Sequence, residues 1–303
     1  MSTPPRTLNE LFFGAMDRSA SRPVAMRVKR GGTWVGTSFA ELLSQVQAFS
    51  IGLHELGVNA GDRLAILSEN RPEWAVTDFA CLACRCADVP VYPTLPAHQI
   101  EYILRDSGAV AVCCSSAAQL GKILEIRGNL PALKTIVVFD ADAATGGAVT
   151  FDSVLAKGRA AIPKYPTWRA DALAVKPDDL ATLIYTSGTT GDPKGVMLTH
   201  GNITSDVMAG LQVLDIRQSD ECLSFLPLSH IFERMAGHYC MTQQGAIINY
   251  ATSIESVPIE MGELRPTVVC SVPRLYEKIY ARVLENAMAG SPTKQKIFLW
   301  AKR

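Results

Sequence analysis

The clearest chemistry in this sequence lies in a short segment that combines glycines, hydroxyl side chains and one lysine. It stands between two apolar runs, the first ending at Tyr185 and the second beginning at Val196. Glycine permits backbone geometries closed to other residues, so consecutive N–H groups can turn inward around phosphate oxygens. Hydroxyls add donors and magnesium ligands, and lysine adds a positive charge for the outer phosphates. The candidate phosphate-binding residues are Thr186, Ser187, Gly188, Thr189, Thr190, Gly191 and Lys194, with Gly195 as a further loop glycine.

This segment differs from the phosphate loop of the Walker type. The Walker pattern requires Gly, four residues and then Gly-Lys followed by Ser or Thr, whereas here Pro193 precedes Lys194 and Gly195 follows it. The next element is predicted to be a strand, so no helix N-terminus stands directly behind the phosphate. The alternative is a flexible surface turn, which requires glycines, hydroxyls, proline and lysine to coincide by chance between two strands. We favour phosphate binding.

A second candidate is His230, which follows the short apolar run 225–227. That run is predicted to be a strand ending at Pro227, and ligands of such sheets bind beyond the carboxyl ends of the strands. A lone histidine can be structural or functional, and the position of His230 leaves both interpretations open. Glu233 and Arg234 are interpreted as structural, in an intrahelical or surface ion pair that contributes little.

The segment 185–195, read as YTSGTTGDPKG, resembles the signature phosphate-binding motif of the adenylate-forming superfamily. That superfamily contains acyl-CoA synthetases, luciferases and the adenylation domains of peptide synthetases. The resemblance implies that the loop binds the triphosphate of ATP. It also implies that Lys194 lies near the β and γ phosphates and that Thr186 lies near magnesium.

The histidine segment shows a resemblance of its own. Leu226-Pro227-x-x-His230 is similar to the superfamily motif whose histidine lines the acyl pocket near the reacting carboxyl group. By this resemblance His230 belongs to the substrate pocket, and Lys194 and His230 are the candidate catalytic residues.

Four further segments resemble the long-chain fatty acyl-CoA synthetase branch in particular, and the likeness extends from about Leu8 to the end of the chain. They are 69–74 (ENRPEW), 91–94 (VYPT), 230–234 (HIFER) and 270–280 (CSVPRLYEKIY). The resemblance implies a long-chain fatty acid–CoA ligase (AMP-forming), in which ATP and Mg²⁺ activate a fatty acid to an acyl-adenylate and coenzyme A then takes the acyl group. The alternatives are an aryl- or short-chain acyl-CoA ligase and a truncated, non-catalytic nucleotide-binding fragment.

The later motifs of the superfamily do not occur in this sequence. Neither the Tyr-Gly-x-Thr-Glu segment for adenine and magnesium nor the Thr-Gly-Asp for ribose is found, and the C-terminal domain with its adenylation lysine is missing. The resemblance therefore covers the N-terminal part of such an enzyme. We expect residues 1–303 alone to lack ligase activity.

Helix and strand signals alternate along most of the chain. This alternation predicts an α/β fold with mostly parallel sheets and helices on both faces. Ser38 and Glu41 form a capping box before one helix, Asn70 is predicted to cap another with an early proline at Pro72, and Gly108 is predicted to end a third. The predicted strands are 63–67, 89–92, 109–114, 135–139, 180–185, 196–199, 222–226, 246–250 and 267–271.

Prolines concentrate between residues 163 and 177, and we place a boundary near Pro177. By the resemblance, residues 1–176 and 177–303 are two stacked α/β subdomains of a large N-terminal domain. The second subdomain carries the phosphate-binding loop and is incomplete at its end.

Composition limits the classes of partner. The chain has 303 residues, with 29 Lys plus Arg and 29 Asp plus Glu, and this balance argues against nucleic-acid binding. No apolar run approaches the roughly 20 residues that span a bilayer, and the N-terminus lacks a secretory signal. We predict a cytoplasmic protein, with peripheral membrane contact left open because a fatty acid is the expected substrate. The oligomeric state is left open too.

Five of the eight cysteines cluster at 81, 84, 86, 113 and 114. A Cys-x-x-Cys-x-Cys spacing superficially resembles a metal site, but no second ligand pair stands at zinc spacing. We interpret these residues as small apolar side chains packed in a core.

Overall fold

The computed structural model describes residues 4–186 and 192–302. The chain divides into two compact units, Met1–Val269 and Cys270–Arg303. The strands are β1 (Met26–Arg30), β2 (Thr33–Thr37), β3 (Arg63–Leu67), β4 (Ala87–Val91), β5 (Ala111–Cys114), β6 (Thr135–Val138), β7 (Val149–Thr150), β8 (Leu180–Thr186), β9 (Lys194–Thr199), β10 (Glu221–Ser224) and β11 (Ile247–Tyr250).

Helices connect most of these strands, and a π-helix over Arg234–Cys240 separates α9 from α10. The helices of the first unit are α1 (Leu8–Ser19), α2 (Phe39–Glu55), α3 (Pro72–Ala83), α4 (Ala97–Ser107), α5 (Ala117–Ile126), α6 (Phe151–Ala161), α7 (Trp168–Leu173), α8 (His200–Val213), α9 (Ile231–Glu233), α10 (Met241–Gln244) and α11 (Val257–Leu264). The second unit contains α12 (Pro273–Met288) and α13 (Pro292–Ala301). Within the described residues, none of the helices is both long and apolar enough to cross a membrane.

Two sheets organise the first unit. The larger sheet has the strand order β7-β6-β5-β3-β4-β8-β9. Its adjacent strands are parallel, except that β8 and β9 form an antiparallel hairpin. The smaller has the order β10-β11-β1-β2, with only β1 and β2 antiparallel. The predicted mostly parallel α/β fold is confirmed. Each sheet takes strands from both sides of Pro177, and the subdomain boundary predicted there stays a prediction.

The larger sheet is buried on both faces because its strands alternate between two hydrophobic cores. Ile66 and Cys113 pack in the core of one face, and Leu67 and Cys114 pack in the core of the other. Cys81 and Cys86 are also buried in the first of these cores. Small apolar thiols serve here as core residues, in keeping with their interpretation as packing side chains.

Local signals placed most elements within a few residues. The Ser38–Glu41 capping box is formed, Pro72 begins α3, and Gly108 ends α4 with a φ of +64°. The predicted Asn70 cap is wrong, because the N-cap of α3 is Arg71 and no side chain caps it. The predicted strand at 267–271 is also wrong, since only an isolated bridge between Val268 and Cys222 forms there.

Candidate functional site

The β8–β9 hairpin places two of the predicted phosphate-binding residues opposite each other. Thr186 ends β8, Lys194 begins β9, and the two are direct partners in the antiparallel register. Directly opposite residues have Cβ atoms about 5 Å apart and project from the same face. Both side chains are exposed. The predicted residues between them, Ser187, Gly188, Thr189, Thr190 and Gly191, lie outside the described part of the chain.

Gly195 serves a different purpose from the one predicted. It lies inside β9 opposite Tyr185, and its φ is not in the left-handed region. A Cβ at this position would lie 3.1 Å from the Tyr185 ring. The aromatic ring leaves little room for a larger residue, and the backbone of Gly195 is ordinary extended strand, so the prediction that Gly195 gives the loop special backbone freedom is wrong.

The Tyr185 hydroxyl connects the β8–β9 hairpin to α4 through a hydrogen bond. It donates a hydrogen bond to Asp106 Oδ2 at 2.6 Å. Burial, assisted by the Asp106 carboxylate, raises the pKa of Tyr185. The phenol therefore stays protonated and remains a donor at neutral pH. This contact involves a tyrosine of the motif and a helix far from it in sequence, so the motif alone could not reveal it.

His230 stands at the start of the short helix α9, as the sequence predicts. Its backbone N–H donates to Pro227 O at 2.9 Å, and its Nδ1 accepts from the N–H of Phe232 at 3.2 Å. An accepting Nδ1 places the hydrogen of the neutral ring on Nε2. The exposed imidazole thus offers an Nε2–H donor to a ligand.

One cavity of about 720 Å³ brings the two candidate regions together. Thr186 and His230 both line it, and Lys194 is the hairpin partner of Thr186. The cavity lies beyond the carboxyl ends of β4 and β8, where parallel α/β sheets bind ligands. The side chains of Tyr92, His98 and Tyr102 add aromatic and polar surface to its wall. The volume falls within the range of about 300–1,000 Å³ typical of small-molecule sites.

The donor set at the hairpin mouth suits a phosphate-bound magnesium ion. Thr186 supplies a hydroxyl oxygen and Asp192 a carboxylate to the same cavity. Magnesium prefers oxygen ligands and is held by few protein groups together with substrate phosphates and water. Among the described residues there is no group of three or more His, Cys, Asp or Glu side chains arranged to hold a metal by themselves. This arrangement fits an ion that arrives with a nucleotide.

Arg234 does not form the predicted surface ion pair with Glu233. Its side chain is fully buried, and it forms ion pairs with Asp78 and Asp88. Arg234 Nη1 also donates to Thr182 Oγ1 at 2.9 Å. The sequence places these acidic residues on different elements, so spacing along the chain gave no signal for the cluster.

Glu233 is buried as well, but its carboxyl group contacts the end of β10. Ser224 Oγ donates to its Oε1 at 2.7 Å. Burial raises the pKa of Glu233 to about 7, and the Ser224 hydrogen bond offsets only part of that rise. A Cβ on Gly237 would lie 2.4 Å from Glu233 Oε1, so glycine one turn later leaves the carboxyl group its space.

The Asn70 side chain forms hydrogen bonds with the segment 224–228, which precedes His230. Its Nδ2 donates to Leu226 O at 2.7 Å and to Ser224 Oγ at 3.0 Å. Its Oδ1 accepts from the N–H of Leu228 at 2.9 Å. Both ends of one amide therefore hold the loop before His230, which explains why Asn70 does not cap α3.

Comparison with known proteins shows the family of this chain. A family model described as AMP-binding enzyme matches residues 14–298. The chain is 35% identical over 269 residues to the long-chain-fatty-acid–CoA ligase FadD15 of Mycobacterium bovis, covering 88% of this chain and 43% of that protein. It is 33% identical over 314 residues to the peroxisomal long chain acyl-CoA synthetase 7 of Arabidopsis thaliana, covering 96% of this chain and 42% of that protein. The chain spans less than half the length of these curated relatives.

Solved structures share the fold. A long-chain-fatty-acid-CoA ligase (FadD1) from Archaeoglobus fulgidus matches with a TM-score of 0.77 at 20% identity, covering 94% of this chain and 55% of that one. An anthranilate CoA ligase, AuaEII, in complex with anthranoyl-AMP matches with a TM-score of 0.74 at 22% identity, covering 88% and 50%.

Proposed function

This chain belongs to the family of AMP-binding enzymes, and we propose that it supplies the phosphate-binding hairpin and the acyl-side histidine of an AMP-forming long-chain fatty acid–CoA ligase. The observation that supports this most is the shared cavity. Thr186 at the hairpin mouth and His230 at the start of α9 face one space of about 720 Å³. A nucleotide held at the hairpin and a carboxylate held at the histidine would then be neighbours.

The proposed reaction has two halves. A fatty carboxylate oxygen attacks the α-phosphorus of ATP, and pyrophosphate leaves. The thiol of coenzyme A then attacks the acyl carbon, and AMP leaves with the bonding electrons. The carboxyl group needs this activation because it cannot expel oxide or hydroxide at neutral pH.

The roles of the chain's residues follow from their chemistry. Lys194 would place a positive charge against the outer phosphates, where a charge-assisted hydrogen bond strengthens as charge moves to the leaving group. Thr186 would bind a magnesium ion that neutralises phosphate oxygens when present. His230 would donate from Nε2 to the substrate carboxyl group and orient it. Catalysis on this account is mostly positioning and charge neutralisation.

The choice of long-chain acids rests on the relatives. Both curated proteins described above are named for long-chain acids, and segments 230–234 and 270–280 of this chain resemble that branch. Each buried methylene contributes about 0.8 kcal/mol to binding, so a site that buries the acyl chain would favour palmitate over acetate strongly. We also propose a cytoplasmic site of action.

The test is palmitate-dependent exchange of labelled pyrophosphate into ATP. Residues 1–303 alone should show no exchange above a Lys194→Ala control, because the relatives are more than twice as long. Fusion of this chain to the second half of the mycobacterial relative should restore exchange. The fused protein should prefer palmitate to acetate or benzoate.

Two results would contradict the proposal. Sustained turnover by residues 1–303 alone would mean that the reaction needs different residues. A fused protein that prefers acetate or benzoate would replace the long-chain assignment with a short-chain or aryl substrate.

A further inference from the structure

Three segments that line the cavity converge on one buried guanidinium below it. Strand β4 passes through Asp88 before it reaches Pro90, and β8 passes through Thr182 before it reaches Thr186. The helix that begins at His230 reaches the same point through Arg234. Asp88 precedes Pro90 by two residues, about 7 Å along β4, and Thr182 precedes Thr186 by four residues, about 13 Å along β8. The guanidinium therefore lies one to two inward-facing residues further along these strands than the residues that line the cavity.

The contacts at this point are direct and fully buried. Arg234 Nη1 donates to Asp88 Oδ1 at 2.8 Å and to Thr182 Oγ1 at 2.9 Å. Thr182 Oγ1 donates to Asp88 Oδ1 at 2.8 Å. Arg234 Nη2 donates to Asp78 of α3 and to the second oxygen of Asp88. We call Asp78, Asp88, Thr182 and Arg234 the buried clamp.

The clamp lies at the join between the hairpin and the rest of the sheet. The register between β4 and β8 is recorded at one pair, Asp88 opposite Thr182. Those are the same two residues whose side chains meet at Arg234. The backbone N–H of Arg234 also donates to His230 O at 3.2 Å. One residue therefore contacts both the strand that leads to Thr186 and the first turn that carries His230.

Stability alone is a weak explanation for such a cluster. A buried ion pair loses so much hydration that well-packed apolar residues often stabilise a protein equally well. Here two carboxylates share one guanidinium. Burial, helped by the Asp78 charge, raises the pKa of Asp88 to about 6 against the opposing effect of Arg234. The planar guanidinium of Arg234 presents several N–H donors in a rigid fork, so it can fix the relative positions of the elements that carry its partners.

We propose that Arg234 is a positioning residue that, through Thr182 and Asp88, fixes the placement of His230 relative to the mouth of the β8–β9 hairpin. This inference rests on the proposed function in one respect: the positioning is useful because it would hold a carboxylate beside the ATP phosphates. Its geometric content is independent of that function.

The decisive variant is Thr182→Val, which keeps the β-branched shape and removes one hydroxyl from the clamp. The matched control is Thr204→Val. Thr204 is equally buried in α8, and its hydroxyl lies 2.8 Å from His200 O and 3.0 Å from Arg6 O, so that it bonds to none of the four clamp residues. Both variants lose one buried hydrogen-bonding group, so their losses in unfolding free energy should be similar.

Two readouts separate positioning from stability. The first is the ring ¹H–¹³C NMR signals of His230 in residues 1–303 without ligand, assigned with a His230→Gln variant. The second is the dissociation constant for ATP with magnesium, measured by calorimetry. Thr182→Val should move the His230 signals and raise the dissociation constant at least threefold, whereas Thr204→Val should change neither. Arg234→Lys should behave like Thr182→Val, because lysine keeps the charge and loses the fork.

Each outcome decides the matter. Unmoved His230 signals in Thr182→Val would overturn the proposal, whatever happens to ATP binding. Wild-type behaviour of Arg234→Lys would overturn it too, because charge alone would then suffice. Moved signals together with a wild-type chain that binds no ATP would support the clamp while contradicting the proposed function.

Discussion

The mouth of the β8–β9 hairpin and the buried clamp differ in nearly every physical respect. Thr186 and its hairpin partner Lys194 are exposed, and Thr186 lines the cavity, whereas the Asp78, Asp88 and Arg234 side chains have no exposed surface. In the hairpin the charge of Lys194 is exposed and available to a ligand. In the clamp the Arg234 guanidinium bonds to the carboxylates of Asp78 and Asp88. The residues that would contact a ligand and the residues that would position them therefore belong to separate parts of this protein. Mutations in the two regions should therefore fail in different ways.

The largest expected effect separates the regions by stability. Arg234→Met would leave two carboxylates buried without their guanidinium, which costs about 3–5 kcal/mol of unfolding free energy. Lys194→Met removes an exposed charge and should change stability by less than about 0.5 kcal/mol. Urea unfolding of both variants measures the contrast. A clamp variant that unfolds within 1 kcal/mol of the wild type would remove the basis of the comparison.

Glu233, the residue before Arg234, should make the unfolding free energy depend on pH. Burial raises the pKa of Glu233 to about 7, above its unfolded value of 4.5, so the native state holds a proton that the unfolded state has lost. This contribution is favourable at low pH and is lost as pH rises through 7, by an amount of about 3 kcal/mol. Glu233→Gln cannot titrate and should lack that loss.

Urea unfolding across pH 5 to 8 measures this difference between the wild type and Glu233→Gln. His200, whose pKa burial lowers to about 4, acts in the opposite direction but is common to both proteins. The matched control is Glu125→Gln on the exposed surface of α5, which should follow the wild type. Parallel curves for wild type and Glu233→Gln would show that the Glu233 carboxylate is well solvated.

A smaller effect tests the packing beside the clamp. Gly237→Ala would place a methyl group 2.4 Å from Glu233 Oε1, and the resulting overpacking should cost about 1–3 kcal/mol. Gly121 lies in α5 with nothing within 4 Å of its would-be Cβ. Gly121→Ala should be neutral or slightly stabilising. Equal thermal unfolding of the two variants would contradict the close approach of Gly237 and Glu233.

The sequence alone draws attention to residues of the exposed region, whereas it gives no signal for the buried one. The motif at 185–195 and the position of His230 were visible because both depend on residues close together in the chain. Arg234, Asp78 and Asp88 come together only when α3, β4 and the π-helix pack, and no local pattern encodes that meeting. Asn70 was misassigned for the same reason, because its capping chemistry serves a distant loop. The sequence shows the glycine at position 195, but it does not show that the Tyr185 ring on the opposite strand limits the space there.

The central claim is that the hairpin binds the phosphates of ATP, and Lys194→Ala tests it most directly. The measurement is calorimetric titration of residues 1–303 with ATP and magnesium, beside Lys134→Ala, an exposed lysine at the start of β6. Lys194→Ala should bind ATP at least tenfold more weakly than the wild type, equivalent to about 1.4 kcal/mol, because a charge-assisted contact to phosphate is lost. Lys134→Ala should bind as the wild type does. Equal affinities for all three proteins would contradict the assignment of the hairpin as the phosphate site.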